Sequence, residues 1–295
     1  MQALELLPPQ KRALLEEIVA ALAQIPGVAA VVLGGSYARG TAMPESDVDL
    51  GLYYAADAPF RLDDVRAVAA RFDLGGAPAV TDFYEWGPWV NGGSWLETTA
   101  GRVDFTFREI GHVERVIAAA QRGEIEWHYG QQPPYGFRSI IYLAESASCR
   151  PLHDPRGVIA RLKQASAIYP EPLRSAILRA SLWSAEFTLF HLRKFAAQGD
   201  AYNASGCLTR AACELVQVVF ALNRCYFGGD KGALAAASAF RIAPRHFGAR
   251  LESILSAPGA SATALTESAK RLAELIADTI AIAGDLYAAK YRLPR

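Results

Sequence analysis

From Lys11 to Gln24 the apolar residues Leu14, Leu15, Ile18, Val19 and Leu22 recur at three- and four-residue intervals, which predicts a helix with one buried face. Pro26 and Gly27 end it. Val28 to Leu33 is a β-branched apolar run closed by Gly34-Gly35, and Val48 to Tyr54 is a second apolar run after a polar loop. Both predict strands. The same reasoning predicts a helix over Arg61 to Phe72 and strands over Ala79 to Trp86, Ser94 to Thr98 and Arg102 to Phe107. This order of elements describes an α/β or α+β domain.

Past Pro133-Pro134 the pattern changes. Pro151, Asp154-Pro155 and Gly157 read as a linker, and Ala- and Leu-rich amphipathic segments come after it at Leu173–Gln198, Ser205–Phe227, Arg245–Leu255 and Ala264–Tyr291. The expected division is a mixed domain over 1–145 and an all-helical domain over 155–295.

The 295 residues are enough for two domains, each with a sizeable core. Thirty Lys and Arg balance thirty Asp and Glu, which excludes a strongly basic nucleic-acid binder. With 52% hydrophobic residues the chain is not a disordered one. The longest apolar stretch, Ile18 to Leu33, is broken by Gln24, Pro26 and Gly27, so no membrane helix is expected. Pro8, Pro9, Lys11 and Arg12 precede any apolar run, which does not suit a secretory signal. Cys149, Cys207, Cys213 and Cys225 have no CxxC spacing and suit reduced thiols, so a cytoplasmic location and no structural zinc are expected.

One segment, Leu33 to Leu50, carries the chemistry. Gly34-Gly35-Ser36 at the end of a strand lets backbone amides approach an anion and adds a hydroxyl, as a phosphate cradle requires. Asp47-x-Asp49 puts two carboxylates on one face of a strand, a charge pair that calls for a hard cation such as Mg²⁺. Asp104, set singly among Val103, Phe105 and Phe107, is a third carboxylate suited to a two-metal site.

Taken together, Gly35-Ser36 with Arg39-Gly40-Thr41, Ser46-Asp47-x-Asp49-Leu50 and Asp104 resemble the DNA polymerase β superfamily of nucleotidyltransferases. Within it the chain is most similar to the minimal and antibiotic-modifying, aminoglycoside-type enzymes. The resemblance implies an α+β nucleotidyltransferase domain with a mixed sheet, joined to an all-α helical bundle on its C-terminal side. It also implies that Gly35 and Ser36 grip the β- and γ-phosphates of an NTP, and that Asp47, Asp49 and Asp104 bind two Mg²⁺. The implied reaction is in-line transfer of a nucleoside monophosphate, AMP from ATP being the first choice, to a hydroxyl of a small molecule, with release of pyrophosphate. Ser46 is expected to cap its turn or touch phosphate, and Arg39 to contact phosphate or pair with Glu45. The alternatives are a protein-adenylylating, antitoxin-type enzyme and a nucleotide-binding pseudoenzyme. An antibiotic-resistance role and an endogenous one need the same site residues. Neither a nucleic acid nor a membrane is an expected partner.

Weaker candidates stand around this signature. Some antibiotic-modifying relatives use a neighbouring strand carboxylate as general base, a role for Glu85 or, on the opposite face, Asp82. Trp86 and Trp89, flanking Gly87-Pro88, could stack on a ring or simply pack a hairpin. Arg224 and Lys231 resemble the basic residues that such relatives return to the triphosphate from the helical domain; the alternative is charge at a helix C-terminus. Arg241 and His246 have the Arg-x4-His spacing of certain toxin ribonucleases, but Pro244 interrupts the helix it needs.

Overall fold

A computed structural model describes residues 7–291, which fall into two compact units. The first takes residues up to 118 together with 126–168; the second takes 119–125 and everything from 169 onward.

The first unit is built on a five-stranded mixed sheet. Its strands are β1 (Ala30–Leu33), β2 (Val48–Tyr54), β3 (Gly93–Thr98), β4 (Gly101–Glu109) and β7 (Arg150–His153), in the spatial order β3-β4-β2-β1-β7. The central pair β2 and β4 is parallel and the other pairs are antiparallel. From Leu50 to Tyr54 β2 is buried throughout, as suits its central place in the sheet, and Asp49 near its start is its one charged residue. Helix α1 (Pro9–Leu22) turns Leu15, Ile18 and Leu22 into a core shared with Leu33, Leu50, Leu52, Phe105 and Phe107. Helix α3 (Leu62–Phe72) adds Val65 and Ala69 to the same core. Burial of these large side chains, each contributing on the order of 1.5–3 kcal/mol, fixes the frame on which the loops hang.

Three elements depart from the sequence pattern. Ala79 to Trp86 forms no strand; its backbone meets β3 only at its start, through a single bridge from Val80 to Ser94 and the Thr81 amide donating to the Gly93 carbonyl at 3.0 Å. Tyr84 there takes φ +61°, a left-handed conformation that ends extension, while Phe83 packs among Tyr54, Phe60 and Phe107. A five-residue helix, α2 (Gly35–Arg39), leaves the end of β1 where the pattern shows only a glycine-rich loop. In the segment read as a linker, Arg150–His153 is instead the edge strand β7, paired with β1. Helices α4 (Ile110–Gln121), α5 (Ile141–Ser148) and α6 (Val158–Ala165) and the short hairpin of β5 (Trp127–His128) and β6 (Phe137–Arg138) fill the rest of this region.

The second unit is helical beyond 168: α7 (Glu171–Ala197), α8 (Ala201–Leu222), α9 (Ala233–Ala239), α10 (Phe247–Leu255) and α11 (Ala262–Ala283). The long pair α7 and α8 packs as a hairpin closed by Gly199 in the left-handed region, and Asp200 caps α8 by accepting the Asn203 amide. Of the described helices, α8 alone is long and apolar enough to cross a membrane; 67% of its most apolar window is buried inside the protein. The last helix stops at Gly284, short of the expected Tyr291. Glu186 on α7 holds the segment after it, accepting the Tyr287 hydroxyl at 2.5 Å and the Lys290 amide at 3.0 Å.

Candidate active site

The site grows from the junction of β1 and β2. The Gly34 amide donates to the Asp49 carbonyl at 2.8 Å, so the chain leaving β1 stays against β2 for one more residue before α2 starts. Gly35 takes φ +58°, and a Cβ there would stand 1.6 Å from Asp49 Oδ2. Glycine is therefore required twice over, by the backbone and by the carboxylate. The first amides of α2, which have no acceptor within the helix, begin beside that carboxylate.

The loop from Gly40 to Asp47 is pinned from below by Lys11 of α1. This buried ammonium donates to the Ser46 carbonyl at 2.7 Å, the Tyr37 hydroxyl at 3.1 Å and the Pro44 carbonyl at 3.2 Å. From β7, Arg150 donates to the Ala38 carbonyl at 3.1 Å and holds the other end of α2. Neither residue carries a motif; each is legible only once α1 and β7 are placed. Ser46 caps its own turn, its hydroxyl accepting the Met43 amide at 2.9 Å.

In the parallel pair β2–β4, Asp49 lies directly beside Asp104. Such register partners point to the same face of the sheet. Burial, and then the negative charge of Asp104, push the Asp49 carboxyl up to about 6, with Arg39 opposing. Burial likewise raises Asp104, against the pull of Arg102, whose Nε donates to Asp104 Oδ1 at 2.9 Å. Asp47 stands just outside β2, and its charge is felt at both acids. Among the described residues no three His, Cys, Asp or Glu side chains close into a metal cage. The donor set nonetheless suits Mg²⁺, which takes one or two carboxylates and completes its shell with water and phosphate oxygens. Two partly buried like charges held side by side are the arrangement a divalent cation relieves.

Several of the remaining candidates have partners of their own. Glu85 sits on the turn that replaces the expected strand, and its carboxylate accepts the Asp82 amide at 2.7 Å. The strand alternation that would set Glu85 and Asp82 on opposite faces therefore does not apply, and Asp82 lies 3.6 Å from Arg66. Trp89 is buried, 5% exposed, in a cluster with His112, His128, Phe137 and Tyr142. Trp86 stacks on Trp95, ring centroids 4.6 Å apart. Arg224 and Lys231 belong to the second unit, where Arg224 pairs with Glu171 at 3.2 Å and Lys231 is exposed. Arg241 and His246 share no helix: His246 precedes α10 in a left-handed conformation, after Pro244.

Residues 15–84, which span β1, α2 and β2 with Gly35, Ser36, Asp47 and Asp49, match the nucleotidyltransferase domain family. Over residues 15–84 the chain is thus similar to the nucleotidyltransferase domains of the polymerase β-like superfamily, and a helical region comes later in the chain. Asp104 lies beyond the matched segment. Residues 140–231 match a domain of unknown function, DUF4037. Among solved structures, a nucleotidyltransferase-like protein from Exiguobacterium sibiricum 255-15 aligns over 93% of this chain and 76% of its own, at 12% identity and a TM-score of 0.45. No curated protein matches the chain.

Proposed function

We propose that the protein is a Mg²⁺-dependent nucleotidyltransferase that moves a nucleoside monophosphate, AMP from ATP by first choice, onto a hydroxyl of a small molecule. The observation that carries this reading is the row formed by Gly35, Asp49 and Asp104: a glycine-lined helix start against one buried carboxylate, with a second in register beside it. Mg²⁺ held by Asp49 and Asp104, with Asp47 at the edge, would supply charge neutralisation for the triphosphate and the leaving pyrophosphate. Backbone amides at Gly35 and Ser36 grip the terminal phosphates, and Arg39 adds a positive charge on the same side. Lys11 and Arg150 keep that cradle rigid, so that catalysis by positioning does not have to order the loop at the moment of reaction. Asp104 receives the acceptor's proton once Arg102 has turned away from it.

That Arg102 bond also favours a second reading, nucleotide binding without transfer, because it occupies the carboxylate the chemistry needs. Calorimetric titration of the full chain with each of four α,β-nonhydrolysable NTP analogues, with and without Mg²⁺, tests the donor site. Binding of one analogue that needs Mg²⁺ and is lost in Asp49→Asn supports both readings. Pyrophosphate release from the matching NTP in the presence of hydroxyl compounds then separates them, since a binding module releases none.

A further inference from the structure

Beyond Asp104 the sheet continues to β3, and there the register partner of Asp104 is Trp95. Partners across a strand pair share a face, so Asp49, Asp104 and Trp95 form a row across β2, β4 and β3, with Gly35 of α2 against Asp49 at its β1 end. At roughly 4.8 Å per strand the indole starts about two spacings from Asp49. Side-chain contacts join the row: the Arg102 guanidinium that bonds Asp104 lies 5.9 Å from the Trp95 ring centroid, and Trp95 stacks on Trp86 with an interplanar angle of 23°.

We propose that Trp95, backed by Trp86, is the platform on which the ring of the hydroxyl-bearing acceptor lies. The proposal rests on the donor reading above and adds which side the acceptor enters and what face it must present. In an in-line displacement the attacking and leaving oxygens stand on opposite sides of the α-phosphorus. The acceptor oxygen forms a bond to that phosphorus, the bond to the β-phosphate bridging oxygen breaks, pyrophosphate leaves with that electron pair, and the hydroxyl proton passes to Asp104. With the terminal phosphates against Gly35 and Ser36 at the β1 side, the leaving group departs toward β1. The attacking hydroxyl must then come from the β3 side, where Trp95 stands.

The aromatic pair is built to be rigid and open. Trp86 is clamped through both backbone groups: its amide donates to the Asn91 carbonyl at 2.8 Å, and its carbonyl accepts from the Gln131 side chain. Asn91 is in turn buried and bonded to the Tyr54 hydroxyl at 2.9 Å. Gly93 fits between β4 and the stack: a Cβ there would lie 1.9 Å from the Phe105 carbonyl oxygen and 3.0 Å from the Trp86 ring. Trp95 remains 50% exposed. A fixed indole with a free face binds the flat side of a ring, whether aromatic or a saturated ring that turns its C–H bonds to the π cloud. Glu97, next on the same face of β3 and exposed, and Arg102 opposite it offer an acceptor and a donor for polar groups around that ring.

Nuclear magnetic resonance on ¹⁵N-labelled full chain tests the platform, the Trp95 indole N–H being assigned by its disappearance in Trp95→Phe. Methyl α-D-glucopyranoside as a saturated ring, benzyl alcohol as an aromatic one and glycerol as an acyclic hydroxyl are titrated in the presence of Mg²⁺ and α,β-methylene-ATP. The expected result is a shift of the Trp95 signal by one of the two ring compounds at a concentration at least tenfold below that for glycerol; which one responds tells saturated from aromatic. In Trp95→Ala, read on the indole N–H of the neighbouring Trp86, the preference should be abolished while affinity for the ATP analogue stays within twofold. The proposal is overturned if neither ring compound is preferred to glycerol, or if Trp95→Ala weakens the analogue tenfold, which would give the platform to the nucleobase. Should wild-type protein bind no NTP analogue, the donor reading fails by itself. The ring titration without nucleotide then decides: a preferred ring response keeps Trp95 as a ring-binding face, and its absence removes the proposal.

Discussion

Gly35 and Asp49 occupy one another's space: the hydrogen that glycine carries in place of a side chain is all that separates its Cα from the Asp49 carboxylate. Gly40, at the other end of α2, also has a positive φ, +72°, but a Cβ there meets nothing within 4 Å. The two glycines therefore separate backbone strain from site disruption. Gly40→Ala should cost about 1 kcal/mol of stability and leave nucleotide binding in place. Gly35→Ala should cost more, about 2–4 kcal/mol, and displace Asp49, so that Mg²⁺-dependent analogue binding is lost. Thermal melts paired with calorimetry read both; equal behaviour of the two variants would contradict the assigned role of Gly35.

Lys11 makes a second, independent prediction because its three bonds all end on the segment from α2 to Asp47. Lys11→Met keeps the length of the stem while leaving the Ser46 and Pro44 carbonyls without their donor. The expected loss is about 1–3 kcal/mol in stability. Analogue affinity should fall by more than the loss of fold explains, measured well below the melting temperature where the variant is fully folded. Unchanged affinity in a folded Lys11→Met would mean that the loop is held without it.

The range of the forces involved decides which elements are legible in the sequence. Helix α1, strands β1 and β2 and the long helices α7 and α8 each bury a face whose period is written locally, and all of them can be read from the pattern. Asp47, Asp49 and the glycines belong to one eighteen-residue segment, Leu33 to Leu50, for the same reason. Strand β7 is not legible, because Arg150–His153 contains Pro151 and becomes a strand only by pairing with β1, more than a hundred residues away. Ala79–Trp86 has the look of a strand because Val80, Phe83 and Trp86 are apolar, yet their burial is in a turn set by Tyr84. Trp95 and Arg102 read as ordinary strand residues; their place beside Asp104 depends on the register of β3 against β4, which no single strand encodes.

The Asp49 carboxyl sets a pH dependence whose sign can be worked out. Its folded value of about 6 lies above its ordinary 3.8, so the folded state holds the proton more tightly than the unfolded chain does. The stabilisation this gives is fully present below about pH 3.8 and is lost as pH rises through 6, after which the buried charge opposes folding. Asp49→Asn removes that charge. It should raise stability at pH 8 by up to about 2–3 kcal/mol, leave it almost unchanged at pH 4, and abolish transfer. Mg²⁺ with an NTP analogue should stabilise the wild type at pH 8 and not the variant. Melting curves across pH 4–8 check this, and a variant less stable than wild type at pH 8 would count against charge crowding between Asp49 and Asp104.

Arg108 gives the last prediction, and it bears on how the frame under the site is held. Its buried guanidinium forms a two-pronged bond with Glu145 of α5, 2.8 Å on each side, and its remaining donors reach the Val90 and Phe107 carbonyls. One residue of β4 thus ties α5 and the end of the Trp86–Trp89 turn to the strand that bears Asp104. Arg108→Met would strand the Glu145 carboxylate against an apolar neighbour and leave two carbonyls unbonded. The expected loss is about 2–4 kcal/mol, smaller than for a fully enclosed pair because the Glu145 side chain keeps 34% of its surface in solvent. Because that carboxylate is then left without its partner, adding Glu145→Gln to Arg108→Met should recover part of the loss. A pair contributing only packing would show the same deficit with and without Glu145→Gln, and denaturant titrations of the single and double variants decide between them.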